Sequence, residues 1–528
     1  MAPSCTFRRR GGAAKCEAHG RSVARIARVA VAASVAWGAS GSAFPATWNV
    51  RPSISVTDTY TDNVRLAPPG REQSDLITLI APTVAVSASG PRLKFNANYA
   101  LQQRVYLNTT EANGHTHSLR SQGLLEVMED HLFVDGSATM GVQNLSLTGA
   151  QGTPSVNVTG NTANVRRMTL SPYWVSRLGD WAQLRARYTW DQLSSDGGAA
   201  ALDSQLNGID VGVTSGRMFS RWQWGLNYRT QKVDYSSGVI PNRESETTSA
   251  NLAYAIDRSL RATITAGRDH SNYQTSALQN SGPHWSMGLD WRPGPRTNVS
   301  GSFGKRHYGE TRSLSVAYRA PRWTLSGGYS DQVVDTPLRF GVPATADTAA
   351  TIDRLLISRV PDPLERQEAV EAFILQNGLP TSLDSPLDFV TGQVFVSKRL
   401  HFGGGLTGGR YSLLGNVFID RRTNTSAAAF LPGDAFALSN DINQNGFSLS
   451  GSYRLTDATT ATMLLGFTRT SFTGAAREDS TTRMNAGLSH RFHPRLSGRV
   501  DVRMTERDSN AAASYREHAV VGSVRVDF

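Results

Sequence analysis

The side chains with most to say about chemistry are cations set at alternate positions. Arg92, Lys94, Arg185, Arg187, Arg229, Arg261, Arg319, Arg454, Arg483, Arg499, Arg503 and Arg525 all stand opposite apolar residues in alternating segments. Acids on the same faces are fewer: Asp191, Asp501 and Asp527. Cations around a water-filled channel with low-dielectric walls would focus field lines and guide anions, polyanions above all. The same residues could instead pair with acids on other strands or loops, which would make them structural.

Signatures of catalysis are missing. The chain has no His-Glu-x-x-His, no phosphate-binding glycine loop and no Gly-x-Ser-x-Gly elbow. His115 and His117 are two apart and would share one face of a strand. Without thiolates or clustered carboxylates beside them they read as surface histidines. The expectation is a protein that is not an enzyme and carries no cofactor and no metal.

The formal net charge of +11 points less to nucleic acid than it first suggests. Residues 1–43 hold Arg8, Arg9, Arg10, Lys15, Arg21, Arg25 and Arg28 against the single acid Glu17, leaving +5 on the remainder. The stretch "RIARVAVAASVAWGASGSA" has a basic flank, a short apolar core from Val29 to Trp37 and a small-residue site at Gly41-Ser42-Ala43. It reads as a secretory signal ending at residue 43, with Phe44 first in the mature chain. Its basic flank is long, and Val23 is a candidate for the true start. Both cysteines, Cys5 and Cys16, fall inside it, so the mature chain would rely on neither disulfides nor thiolate metal sites.

The elements that must position the arginines are strands. Leu260, Ala262, Ile264 and Ala266 oppose Arg261, Thr263 and Thr265. Phe447 to Leu455 and Leu496 to Met504 alternate in the same way. No run of about 20 apolar residues exists for a spanning helix, but segments of about ten alternating residues suit tilted strands that cross a bilayer. Short turns, such as Ser89–Pro91, Gly179–Asp180 and Ala320–Arg322, alternate with longer polar loops, such as 143–164, 334–388 and 421–446. That alternation predicts an all-β, transmembrane antiparallel barrel of about 22 strands, within a range of about 18 to 24, over residues 44–528. Short turns would face the periplasm and long loops the outside. Trp222, Trp291, Trp323, Phe402 and Phe492 sit beside short turns, where an interfacial girdle belongs.

The last strand carries Val520, Gly522, Val524, Val526 and the terminal Phe528 on one face. An apolar outward face ending in an aromatic resembles the signal that outer-membrane barrels present to their assembly machinery. One segment departs from the pattern. In "PDPLERQEAVEAFILQNGLP", Asp362 is an N-cap, Pro363 sits at N1, Glu365 completes a capping box and Gly378 is a C′ residue. Parity places this helical insertion, residues 345–385, in the outer loop between strands 15 and 16. It would be a lid, a plug folded into the lumen, or a loop packed on the rim.

Two stretches carry a family resemblance: "WNVRPSISVTDTYTDNVRLAP" with "SDLITLIAPTVAVSASGPRLKFNANYALQQRVYLN", and "DPLERQEAVEAFILQNGLP" with "TGQVFVSKRLHFGGGLTGGRYSLLGNVF". With the C-terminal strands, these make nearly all of the mature chain similar to the outer-membrane β-barrel proteins associated with the PEP-CTERM/exosortase system. Those proteins occur with exopolysaccharide biosynthesis in Gram-negative bacteria. Thr59-Tyr60-Thr61-Asp62-Asn63 resembles a hallmark of that group with no assigned role; locally it is the polar end of a first strand entering a turn. The resemblance implies an outer-membrane location after signal cleavage and a link to polysaccharide export or surface assembly. It supplies no mechanism, because a barrel fold does not carry one. Two functions remain open: a pore or accessory component passing exopolysaccharide, and a closed barrel anchoring an export or sorting complex. The partners expected are outer-membrane lipid, the barrel-assembly machinery, an anionic polysaccharide and periplasmic export proteins, with no nucleic acid. Receptors driven by the inner membrane carry a large plug domain before the barrel; strand pattern here starts at Trp48, which argues against that class.

Overall fold

A computed structural model describes residues 46–528, apart from residues 154, 274–279, 336–351, 354, 355, 358, 359, 361, 377–388 and 432. The expected signal segment 1–43 and Gly378 lie outside the described residues. The chain forms one antiparallel sheet of 22 strands. These are β1 (Thr47–Thr61), β2 (Asp75–Ser89), β3 (Leu93–Tyr106), β4 (Gly114–Met128), β5 (Leu132–Asn144), β6 (Thr162–Leu178), β7 (Ala182–Ser195) and β8 (Ser204–Ser215). There follow β9 (Trp222–Tyr235), β10 (Arg243–Ala255), β11 (Leu260–Ser271), β12 (Ser281–Gly294), β13 (Thr297–Arg306), β14 (Gly309–Arg319) and β15 (Trp323–Asp335). The ring ends with β16 (Val394–Thr407), β17 (Tyr411–Asn424), β18 (Asp441–Arg454), β19 (Thr459–Thr473), β20 (Arg477–His493), β21 (Leu496–Ser509) and β22 (Tyr515–Asp527). An α-helix, α1 (Pro363–Gln376), lies in the connection between β15 and β16, where Ile352, Asp353 and Leu356 are also helical.

Each strand pairs with its neighbours in sequence, and β1 pairs with β22 as well as with β2, so the sheet closes on itself. Closure satisfies every strand's backbone groups within the ring, the condition for β structure in hydrocarbon. The expected strand count and the alternation of short and long connections are both observed. Strand length differs from the expectation. Strands run from 10 residues in β13 to 17 in β6 and β20, longer than a bilayer crossing needs.

Side-chain alternation sets two faces. Val50, Ile80, Ile264, Leu289, Val417, Val500, Val502 and Val524 are exposed on the outside, as a lipid-facing band requires. Trp222, Trp291, Trp323, Phe402 and Phe492 are exposed beside the short turns. In the last strand Val520, Val524 and the terminal Phe528 are exposed, and Phe528 N donates to Pro52 O at 3.0 Å across the seam. Short turns are tight. Gly179 supplies a φ of +59°, and a Cβ on Gly216 would stand 2.1 Å from Asp180 O, so both positions need glycine.

The Thr59–Asn63 segment lies at the outer end of that seam. Asp62 exchanges backbone and side-chain bonds with His518 on β22: its N–H donates to His518 O at 3.1 Å, and its Oδ1 accepts from His518 N at 2.8 Å. Thr61 Oγ1 donates to Glu517 at 2.8 Å. Asn63, fully buried, donates to Ala67 O at 2.8 Å and Arg516 O at 3.0 Å, and accepts from Ala67 N at 2.8 Å. The motif therefore fastens the first strand to the last. Replacing Asn63 by Ala strands these backbone groups, which costs about 1–3 kcal/mol. The expected outcome is a lower temperature for loss of the compact band on heat-modifiability gels, while Asn49→Ala at the opposite end of β1 leaves it unchanged.

Candidate functional site

A ring of 22 strands encloses a lumen too wide to be filled by its own wall side chains. The functional question is what occupies it. The buried apolar residues answer in part, because they gather at the outer mouth rather than in the middle of the wall. Val165, Leu193, Leu206 and Val233 of β6 to β9 pack with Ile240, Val390 and Leu431 from three loops. Phe389, Phe395, Phe436, Ile442 and Phe472 form a second cluster with Leu147. Val64, Ile77, Tyr106 and Val156 form a third.

These clusters join opposite walls. In a ring of 22, β5 and β16 are half a circumference apart. Leu145 follows β5 and Val390 precedes β16, yet Val390 N donates to Leu145 O at 2.8 Å. Ser146 Oγ donates at 3.0 Å to Gly433 O, in the loop between β17 and β18. The loops at 145–161, 389–393 and 425–440 thus meet over the lumen.

Polar groups hold this closure to the wall. The 145–161 loop presents carbonyls to two arginines: Arg507 Nη1 donates to Gly149 O at 2.5 Å, and Arg477 Nη2 donates to Thr148 O at 3.1 Å. Asp479 sits between them, 2.8 Å from Arg507 and 2.9 Å from Arg477, and Ser509 Oγ donates to its other oxygen. Further along, Gln151 N donates to Tyr515 Oη at 3.0 Å and Asn157 Nδ2 to Glu517 Oε1 at 2.8 Å. On the facing side Arg422 pairs with Asp420 at 2.9 Å and lies over Phe389 and Phe395. Arg243 Nη2 donates to Gly392 O at 2.5 Å.

Helix α1 lies deeper. Asp362 caps it as expected, accepting from Glu365 N at 3.1 Å. Ile352, Val370 and Ile374 pack on Leu414 of β17, with Leu464 of β19 alongside. Asp362 pairs with Lys94 of β3, and Gln367 accepts from Gln122 of β4. Lys94 is the second residue of β3 and Leu414 the fourth of β17, both counted from short turns. The helix therefore contacts the inner wall in the periplasmic half, on two sides eight strands apart.

Of the eleven arginines singled out in the sequence, Arg229 pairs with Asp210 at 2.6 Å and Arg92 with Glu129 at 3.0 Å, and the other nine alternate with apolar residues of their strands. They divide by partner. Arg187 pairs with Asp135 at 2.6 Å and, like Arg185, lies over the Tyr173 ring. Arg499 pairs with Asp501 at 2.7 Å, Arg503 with Glu517 at 3.1 Å, and Arg525 with Asp527 at 2.9 Å. Arg483 makes its own interactions on the wall of β20. Arg185, Arg261, Arg319 and Arg454 have no ion pair among the described residues. The residues that sequence reasoning missed are acids and loop anchors: Asp135, Asp479, Glu517, Asp420, Asp434 and the 145–161 loop. Period-2 alternation gives an acid's face but not its cross-strand neighbour, so these pairs had no signal beyond it.

His115 and His117 share a face, as expected, with rings 5.5 Å apart; His117 Nδ1 is 2.8 Å from Tyr99 Oη. No group of three His, Cys, Asp or Glu among the described residues is arranged to hold a metal ion.

Comparison with known proteins finds one family model and several solved structures. A family model described as "Putative beta-barrel porin 2" matches residues 438–528. The chain is similar to the siderophore receptor PirA from Pseudomonas aeruginosa at 10% identity, with a TM-score of 0.43, covering 91% of this chain and 80% of that one. It is similar to a mutant ferric enterobactin receptor from the same organism at 9% identity, with a TM-score of 0.45 and coverage of 91% and 81%. The outer-membrane protein OpdK, also from Pseudomonas aeruginosa, is 9% identical with a TM-score of 0.34 and coverage of 91% and 99%. No curated protein matches the chain. The chain is a closed 22-stranded antiparallel β-barrel of the kind that spans membranes, and its last strands match a β-barrel porin family model.

Two tests address the closure. Asp479→Ala leaves Arg477 and Arg507 buried without their carboxylate, a change that costs about 3–5 kcal/mol where the charges stay buried. Protease cleavage within 145–161 should then appear on whole cells, at sites protected in the parent protein. The second test uses pH. Burial pushes the Asp434 carboxyl above the ordinary carboxylate range, against the hydrogen bonds from Thr391 and Phe436 N. A raised carboxylate pKa means that the folded loop favours the protonated form. Its stability is fullest below the ordinary carboxylate pKa and is lost as pH rises through the raised one. Protease protection of the 425–440 loop should therefore grow on acidification, and Asp434→Asn should remove that dependence.

Proposed function

We propose that this barrel is a gated conduit across the outer membrane, held closed in this state by its outer loops and by α1. The observation that carries the reading is the bond from Val390 to Leu145 across the full width of the ring. A permanently open diffusion pore has no use for loops joined across its mouth, whereas a conduit for an occasional cargo needs a seal between passages. The helix would act as a plug on the periplasmic side of that seal, fixed to the wall by Lys94 and by Leu414. Its narrow apolar face and polar attachments suit an element that can leave the wall without exposing a large hydrophobic surface.

For the cargo, the resemblance to exosortase-associated barrels favours an exopolysaccharide, exported or assembled at the surface. A second reading has one observation in its favour. Closure at two levels also suits a barrel that never opens and serves as an anchor for an export or sorting complex.

Single-channel recording in planar bilayers separates the two. The full chain should give little steady conductance, and removal of residues 345–385 combined with Asp479→Ala, which loosens the outer seal, should give large, stable openings. Silence from both proteins, each a folded heat-modifiable barrel, would favour the anchor. Large steady conductance from the full chain would overturn the seal.

A further inference from the structure

We infer that the periplasmic mouth is a binding ring for a polyanion, which rests on the conduit reading and names the charge class of its cargo. Six short-turn or strand-end arginines stand next in sequence to an aromatic of the girdle: Arg221 beside Trp222, Arg292 beside Trp291, Arg319 beside Tyr318, Arg322 beside Trp323, Arg454 beside Tyr453 and Arg491 beside Phe492. Five of these aromatics are exposed on the lipid side, and Tyr318 lies tilted against Trp323 at 4.8 Å between ring centres. Where the arginine is in strand register with its aromatic, as Arg319 with Tyr318 and Arg454 with Tyr453, alternation directs it away from the lipid, toward the opening. Arg221 and Arg322 lie in the short turns at that rim and Arg292 at the irregularity of β12.

Pairing separates these arginines from those at the outer mouth. Arg422, Arg477, Arg503 and Arg507 each meet a buried carboxylate. None of the six has a carboxylate within ion-pair reach among the described residues; Arg491 donates to the backbone carbonyl of Asp457 at 3.3 Å. Acids at this level are few. Asp180 and Asp457 lie in turns, Asp290 lies on β12 opposite Arg261, and Asp257 is held by the N–H groups of Ser259 and Leu260 in its own turn. Glu129 and Asp130 stand apart on the turn between β4 and β5, where Arg92 meets Glu129. From β9 to β20 the rim carries more arginines than acids, with Asp257, Asp290 and Asp457 interspersed.

An arc of spaced, solvated cations does not build a pocket for one small anion. It matches a chain of repeated negative charges, such as a uronate polymer, which gains by touching several arginines at once. Low-dielectric walls behind the rim strengthen the field at the opening. The ring would concentrate such a polymer on the periplasmic side and thread it toward α1.

Binding of fluorescent oligogalacturonate to the refolded full chain, read by anisotropy without any current, tests this. The expected result is saturable binding that weakens about tenfold between about 50 and about 200 mM salt, with none for a neutral dextran oligomer. Joint replacement Arg221→Ser, Arg292→Ser, Arg322→Ser and Arg491→Ser should lower affinity at least about tenfold, whereas the four Arg→Lys replacements should retain most of it. Heat-modifiability reports folding of each variant, and the lysine form keeps the test decisive if the serine form does not assemble. Equal binding by the serine variant, or by neutral dextran, overturns the inference. So does binding seen in detergent that vanishes in nanodiscs of anionic phospholipid, which would assign the arginines to lipid headgroups. A barrel that conducts but does not bind the polymer removes this inference alone. One that binds but never conducts, even with 345–385 removed and Asp479 replaced by Ala, removes the conduit.

Discussion

Everything in this molecule depends on closing one sheet. A strand in hydrocarbon cannot leave its N–H and C=O groups unpaired, so β22 must find β1. The Thr59–Asn63 segment acts where that requirement is hardest to meet, at the outer end of the seam, where the wall leaves the lipid and water competes for the same groups. Asp62, Thr61 and Asn63 supply side-chain bonds there that simple strand pairing would not. A motif that looks like an ordinary strand end thus proves to be a fastening.

Closure creates a second problem, since a ring of this size is hollow. The chain solves it unevenly. At the outer mouth, loops from opposite walls share apolar clusters and place buried arginine–carboxylate pairs against loop carbonyls. Deeper in, a single helix leans on two patches of wall through a few contacts. A buried ion pair is costly to desolvate, and breaking it by removing one partner costs more still. A short apolar stripe with one partly exposed ion pair is held much less firmly. The outer seal is therefore the stiffer of the two obstructions, and α1 the easier to move.

Much of this was legible in the sequence, and what was not has a physical cause. The strand number, the placement of short turns and the faces of Arg499, Arg503 and Val524 follow from a period of two, which no neighbour can alter. The capping residues of α1 were readable because an N-cap is local: Asp362 and Glu365 are three apart, and the bond between them needs no partner elsewhere. Pairings such as Arg503 with Glu517 depend on register between strands and could not be seen. The inward fold of the 145–161 loop was also hidden. Its sequence holds no charge, is rich in small polar residues and reads as any exposed loop. The charges that hold it belong to β20, β21 and β22, far along the chain.

The bond between Leu145 and Val390 also bears on how the barrel is made. It joins segments separated by nearly half the chain, and both belong to loops that must reach the outer side before they can meet. While strands are still being added, β5 and β16 have no fixed distance between them, so the contact has no geometry until the ring is complete. The loop clusters must then form last, on a finished cylinder, and are the slowest contacts by loop entropy. A newly inserted barrel would consequently pass through a stage in which its wall is continuous and its outer mouth is not yet shut. The permeability of the membrane during growth would depend on how briefly that stage lasts.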